Sequence, residues 1–518
     1  MWVRIKPELA SQVSPVIETV VRERIASRIA SKDSTVWGIE AQSEASIRLG
    51  WVTSPQDSVV LIPRILKLRE ELVGRGVTRF VLCGMGGSSL APEVIAGFYQ
   101  KNLMILDSTS PEQVAIAIRD LEKTAVIVAS KSGSTVETDS QKRMFEKAFT
   151  DAGIAPTERL IVITDPGSPL DSTSRAAGYE VFNADPTVGG RYSALTAFGL
   201  VPAGLVGCDM SSLLHDASSM SALLSSNSVD NPAIILAAAL AGQSRVDKFL
   251  IEADKVPSFG DWVEQLVAES TGKNAKGILP VAVTGSAPEL DMNFSDAIQV
   301  RNLSDTADVD FDGSLGEIFL LWEYATAIAG WLLEINPFDQ PNVESAKIAA
   351  RKLLDEPSFG NQIDFTDRSI GVTTRGFRFQ GQTVEAAIEA LLSMLEARSY
   401  LAIHAYLPSS TFPQFQRLRD IAVSRTQRPV TFGWGPRFLH STGQYHKGGP
   451  RQGVFLQLTH IANEDIAIPG RDFTFGQLIS AQAKGDAEVL AANSLPVLSL
   501  QLSNPIQALA ILEKAISS

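Results

Sequence analysis

The chain has 518 residues, 45% of them hydrophobic and 20% charged, and a formal net charge of −13. That length gives ample core for about two to four domains, and an acidic balance without a Lys/Arg-rich block excludes nucleic acid, whose phosphates need a basic face. The two cysteines, Cys83 and Cys208, offer neither a disulfide framework nor zinc-ligand spacing, which fits a reducing cytoplasm.

The N-terminus lacks the apolar core of a signal peptide. Val13, Val16, Ile17, Val20, Val21 and Ile25 recur at helical spacing, interrupted at Arg22, Glu23 and Arg24, so residues 12 to 50 read as helix and connector. A second amphipathic helix is predicted from Ser58 to Leu72, stopped by Gly74 and Gly76. Strand–helix units then begin. Strands are predicted at Arg79 to Cys83, Leu103 to Leu106, Ala125 to Ala129 and Leu160 to Thr164, with a shorter one at Val181 and Phe182. Such alternation predicts a parallel sheet covered on both faces, with ligands beyond the carboxyl ends of the strands.

Two loops fall on that rim. Gly84-Met85-Gly86-Gly87-Ser88-Ser89 follows the first strand, but its spacing is not the Gly-x-Gly-x-x-Gly of a dinucleotide site, and Asp107 is a weak stand-in for the ribose-binding acid. Ser130-Lys131-Ser132-Gly133-Ser134-Thr135-Val136-Glu137-Thr138 opens a helix, where backbone N–H groups and the helix dipole suit an anion. Its hydroxyls and Lys131 add donors for phosphate oxygens. A purely structural reading also fits, because Ser134 and Glu137 have the Ser-x-x-Glu spacing of a capping box. A phosphorylated ligand would have to be drawn in by such local positive groups against the overall acidic field.

Val188-Gly189-Gly190-Arg191-Tyr192-Ser193 leads into an apolar helix, Ala194 to Val206, and the Ser-rich stretch Ser211 to Ser228 reads as the end of the first domain. No uninterrupted apolar run is long enough to cross a bilayer; Ala233 to Ala241 comes nearest. Beyond it lie a strand at Lys248 to Glu252, a helix from Asp261 delivering Glu269-Ser270-Thr271-Gly272-Lys273, and a strand at Gly277 to Val283. A long helix is predicted from Leu315 to Glu334, then Asn336-Pro337-Phe338-Asp339-Gln340-Pro341 and a helix from Val343 to Leu354 carrying Lys347. The last third alternates again, with strands at Tyr400 to Tyr406, Val430 to Trp434, Val454 to Leu458 and Val497 to Leu502.

Taken together, Gly84–Ser88, Ser130–Thr138, Gly189–Ser193, Glu269–Lys273 and the Phe338-Asp339-Gln340 stretch running to Lys347 resemble, in order, segments of the phosphoglucose isomerase family. The flanking N-terminal helices and the final segment look closest to the isomerase half of fused transaldolase–isomerase chains, here without an aldolase barrel. The resemblance implies an α/β fold of two sugar-isomerase-type α/β/α domains with parallel sheets, over 56–228 and, including a C-terminal α/β extension, 229–518, after an N-terminal helical segment, 1–55. It further implies a cytoplasmic homodimer that interconverts glucose 6-phosphate and fructose 6-phosphate through a cis-enediolate. No metal or other cofactor is expected, nor any nucleic acid or membrane partner.

Residue by residue, the resemblance makes Gly87, Ser88, Ser130, Lys131, Ser132, Thr135, Thr138 and Gln340 substrate-binding. It makes Glu269 the proton-shuttling carboxylate, Arg191 the cation beside the enediolate, and Lys347 the lysine near the ring oxygen. The family's ring-opening histidine is missing between Ala275 and Asp310. Leu439-His440-Ser441-Thr442-Gly443-Gln444 resembles the segment that carries it in short bacterial isomerases, displaced to after the lysine motif. His440 is therefore the expected ring-opening group, with His446 in reserve, since an imidazole can give and take a proton near neutrality. A non-catalytic sugar-phosphate sensor would keep the Ser130–Thr138 loop but would not need Glu269, Arg191 and Lys347. An isomerase that also accepts mannose 6-phosphate is a further alternative.

Overall fold

The computed structural model describes residues 1–342, 348–349, 351–354 and 363–518. It opens with a strand the hydropathy pattern does not reveal, β1 (Trp2–Ile5), so the N-terminal segment is not helical throughout. The helix Pro7–Arg22 follows and ends where the charged triplet predicted, with Glu23 capping it and Arg24 turning left-handed at φ 57°. The second predicted helix starts as a single 3₁₀ turn, Ser58–Leu61, and continues as Ile62–Gly74.

The first sheet contains β2 (Arg79–Gly84), β3 (Met104–Leu106), β4 (Thr124–Ala129), β5 (Leu160–Thr164) and β6 (Glu180–Asn183). It is wholly parallel in the order β3-β2-β4-β5-β6. Every residue of β4 is buried, as expected of a central strand with helices on both faces. The Ser-rich stretch Ser211 to Ser228, read as the end of the first domain, is largely helical. Met210–Leu224 is a helix whose Leu213, Leu214, Ala217 and Leu224 are buried, while its serines take the solvent side.

The second sheet holds β7 (Lys248–Glu252), β8 (Leu279–Val283), β9 (Ala297–Asn302) and β10 (Val309–Asp312) in the order β1-β10-β9-β7-β8. All its pairings are parallel except that of β1 with β10, which ties the chain's start to this domain. The helix Leu315–Leu332 is mostly apolar because nearly all of it is buried, Glu323 and Thr326 included, and Ser314 with Glu317 forms a capping box at its start. One continuous core joins these two sheets.

Residues 365–518 build a sheet of their own rather than extending the second. It contains β11 (Phe365–Asp367), β12 (Ile370–Arg375), β13 (Tyr400–Tyr406), β14 (Val430–Trp434), β15 (Gly453–His460) and β16 (Val497–Leu502), ordered β11-β12-β16-β15-β13-β14. The β16-β15-β13-β14 part is parallel and packs a separate core of side chains from Ile370 to Ile516.

Packed against β13 lies a buried charged cluster of His404, His446, Lys447 and Asp486. His446 Nδ1 sits 2.8 Å from the Tyr400 hydroxyl, and its ring lies 5.1 Å from that of His404. Burial, reinforced by neighbouring His404 and Lys447, holds the His446 imidazole well below its ordinary range, with Asp486 opposing. The folded protein therefore keeps this ring neutral, while the unfolded chain takes up the proton below about pH 6.5. Stability from this group is complete above that pH and should decline as the pH falls, with a limiting slope of about 1.4 kcal/mol per pH unit per proton. Urea titrations between pH 7.5 and 5 check this, and a midpoint independent of pH would refute it.

Candidate active site

Three loops on the rims of the sheets converge because glycines let their backbones touch. A Cβ on Gly87 would lie 2.1 Å from the Gly190 carbonyl oxygen, and one on Gly86, at φ 54°, would lie 2.5 Å from that of His440. The Gly84–Ser88 loop is therefore the hub against which the Arg191 and His440 loops pack. Gly133 needs its residue type for two reasons, a φ of 71° and a would-be Cβ 2.5 Å from that of Leu170.

These loops enclose a cavity of about 370 Å³. At one end lie Ser130, Lys131, Ser132, Thr135 and, unanticipated from the sequence, Arg48. Ser130 Oγ accepts from the Gly133 N–H at 3.2 Å, holding the loop curled. Lys131 Nζ lies 2.8 Å from Asp165. Burial pushes the ammonium's pKa down and the Asp165 carboxyl's up, and the ion pair opposes both shifts. Thr138 does not line the cavity; its hydroxyl is buried without a partner among the described residues.

The other end carries a different chemistry. The Arg191 side chain is 3% exposed and wholly committed. Its Nε donates to Ser270 Oγ at 2.8 Å, Nη1 to Gln340 Oε1 at 2.8 Å, and Nη2 to the carbonyls of Pro337 and Asp339 at 2.7 and 3.0 Å. Nη1 also lies 3.3 Å from Glu269 Oε1. So fixed a guanidinium is preorganised for developing negative charge. Glu269 stands in the last turn of the helix Phe259–Thr271, and Gln265 one turn earlier donates to its Oε2 at 3.1 Å and to the His440 carbonyl at 2.9 Å. Lys273 holds the Asn336–Asp339 stretch through hydrogen bonds of 2.5–2.7 Å. Burial and the nearby Arg191 charge push its pKa down to about 8, against the pull of Asp339.

His440 ends the turn Arg437–His440 and lines the same cavity, far along the chain from the other groups. Its Nε2 is 2.9 Å from Glu137 Oε1. This overturns the capping-box reading of Glu137. Thr135 is the N-cap residue of the helix Val136–Asp151, with no side-chain cap, and Glu137 turns inward to be 4% exposed. The spacing that suggested a cap concealed a site carboxylate. His446 lies behind, against Tyr400, and does not line the cavity. Lys347 and its neighbours Val343 and Glu344 lie outside the described residues. Among the described residues, no group of three or more His, Cys, Asp or Glu side chains is placed to hold a metal ion, and no helix is long and apolar enough to cross a membrane.

Parallel sheets wrapped by helices, with a hydroxyl-rich loop and a carboxylate–guanidinium–imidazole set facing one cavity, define an α/β protein of the sugar-isomerase type. Residues 70–278 match the family model of phosphoglucose isomerase. The chain is 26% identical to a probable glucose-6-phosphate isomerase of Natronomonas pharaonis over 70% of its own length and 97% of that protein's. It is 28% identical to the glucose-6-phosphate isomerase of Thermus thermophilus over 67% and 97% of the respective lengths. The fold is also that of a solved hypothetical protein from Thermus thermophilus, with a TM-score of 0.57 and 24% identity over 68% of this chain and all of that one. A solved glucose-6-phosphate isomerase from Chlamydia trachomatis gives a TM-score of 0.54 and 20% identity over 65% of this chain and 85% of that one. The family match and these relatives support kinship with the phosphoglucose isomerases.

Proposed function

We propose that this protein is a glucose-6-phosphate isomerase, interconverting glucose 6-phosphate and fructose 6-phosphate through the cavity just described. The observation that carries the reading is a single cavity with Lys131, Arg48 and the loop hydroxyls at one end and Glu269, Arg191 and His440 at the other. The phosphate binds at the first end and the ring-bearing carbons reach the second. His440, backed by Glu137, moves the proton between the ring oxygen and the anomeric hydroxyl. Glu269 then takes the proton from C2 of the opened aldose and returns it to C1, while the hydroxyl proton passes from O2 to O1 of the enediolate beside Arg191. A positioned acid–base group of this kind contributes ~10²–10⁴-fold.

The same reading makes the protein a cytoplasmic homodimer. It places the chain nearest the isomerase half of fused transaldolase–isomerase chains, on the resemblance of its N-terminal helices and final segment. Assay of the purified chain on fructose 6-phosphate in EDTA, coupled to NADP reduction by glucose 6-phosphate, is expected to give robust turnover. Binding without turnover would overturn the reading in favour of a sugar-phosphate sensor.

A further inference from the structure

The His440–Glu137 pair does not stand alone. Gln482, on the helix Phe475–Ala492 of the C-terminal domain, donates from Nε2 to Glu137 Oε1 at 2.7 Å. Its Oε1 accepts from the Thr109 hydroxyl at 2.7 Å, just beyond the carboxyl end of β3 in the first domain. Thr109, Glu137 and Gln482 are 0%, 4% and 4% exposed, so water does not compete for these bonds. The chain Thr109–Gln482–Glu137–His440 thus crosses from the first domain to the C-terminal one, back to the first, and out again to the C-terminal domain's cavity loop.

We infer that Gln482 is a positioning residue that fixes which nitrogen of His440 carries the proton, a role that rests on the proposed isomerase reading. The logic is one of donors and acceptors. The Thr109 hydroxyl fills the amide oxygen, so the amide N–H₂ is the end that meets Glu137; the reverse orientation would set two oxygens against each other. Glu137 Oε1 accepts this N–H and also faces His440 Nε2, which must therefore carry its proton. That leaves Nδ1 as the nitrogen of His440 available to accept a proton from the sugar. Without Gln482 the carboxylate loses a buried donor on the same oxygen that faces His440, and the imidazole can populate the other tautomer.

The test uses the full chain with ¹⁵N-labelled histidine. In the parent protein His440 is expected to show one tautomer, protonated at Nε2. In Gln482→Leu the Nδ1-protonated form should appear, and turnover of fructose 6-phosphate should fall about tenfold, in keeping with the loss of a hydrogen bond to a charged group. Turnover of 5-deoxyfructose 6-phosphate, which lacks the hydroxyl that closes the furanose, should be unchanged, because only ring opening depends on the tautomer. Equal losses on both substrates with the tautomer unchanged would overturn the inference and leave Gln482 a packing residue. An unchanged tautomer with unchanged rates would overturn it too. If Gln482→Leu does not fold, Thr109→Val, which frees the amide to turn over, must show the same second tautomer. The tautomer readout needs no turnover, so a failure of the isomerase reading and a failure of this inference are separately visible.

Discussion

Glu269→Gln is expected to lower isomerisation by at least ~10²–10⁴-fold, the contribution of a positioned general base, while fructose 6-phosphate still binds. The substitution keeps the shape of the side chain, and its amide oxygen can still meet Arg191, 3.3 Å away, or accept from Gln265. What it removes is the ability to hold a carbon-bound proton between two positions. The phosphate-binding end of the cavity contains no part of Glu269, so affinity should survive. Turnover measured beside calorimetric binding separates the two effects. Turnover equal to the parent's would remove Glu269 from the mechanism, and loss of binding without loss of turnover would place it among the anchoring groups.

Much of this site was legible because its chemistry sits in short runs. The strands β13, β14 and β16 fall on the predicted residues, since each is rich in the aromatic, β-branched and other apolar side chains that favour strands. The strands β1, β9 and β10 were missed for the converse reason. Val309–Asp312 is half acidic, Ala297–Asn302 alternates Gln and Arg with apolar residues, and Trp2–Ile5 carries Arg4, so none reads as a buried run. The serines of Met210–Leu224 hid a helix because their count outweighed the spacing of Leu213, Leu214 and Ala217.

Glu137, Gln265, Arg48 and Gln482 had no local signal as site residues. Each is an ordinary helix or loop polar residue whose partners are far away in sequence, and Glu137 had a satisfactory local explanation as a cap. The displaced His440 was legible only through its segment. The structure shows how a residue so late in the chain reaches the cavity, through a glycine hub with no Cβ at Gly86 to keep its loop away.

The cluster behind that loop should make Asp486→Ala one of the most destabilising single changes in the C-terminal domain, by ~3–5 kcal/mol, the cost of stranding a buried charge. Asp486 is 0% exposed, with Lys447 Nζ 2.6 Å from one carboxylate oxygen and His404 Nδ1 3.3 Å from the other. Burial alone would push its carboxyl up, but the Lys447 ammonium and His404 outweigh it and hold the group far below the usual carboxylate range. Remove the carboxylate and Lys447, its side chain 2% exposed, has no countercharge among its described partners. Since His440 and Lys447 belong to one segment, the damage should extend to the loop that closes the cavity. Hydrogen exchange is the apt measurement, because a chain with separate cores need not unfold in one step. Protection should fall first in β13, β15 and the helix Phe475–Ala492, while β2 and β4 of the first domain keep theirs. Protection lost equally in both domains would mean that the C-terminal core does not open on its own, and a loss under ~1 kcal/mol would mean that Lys447 finds another partner or sheds its proton.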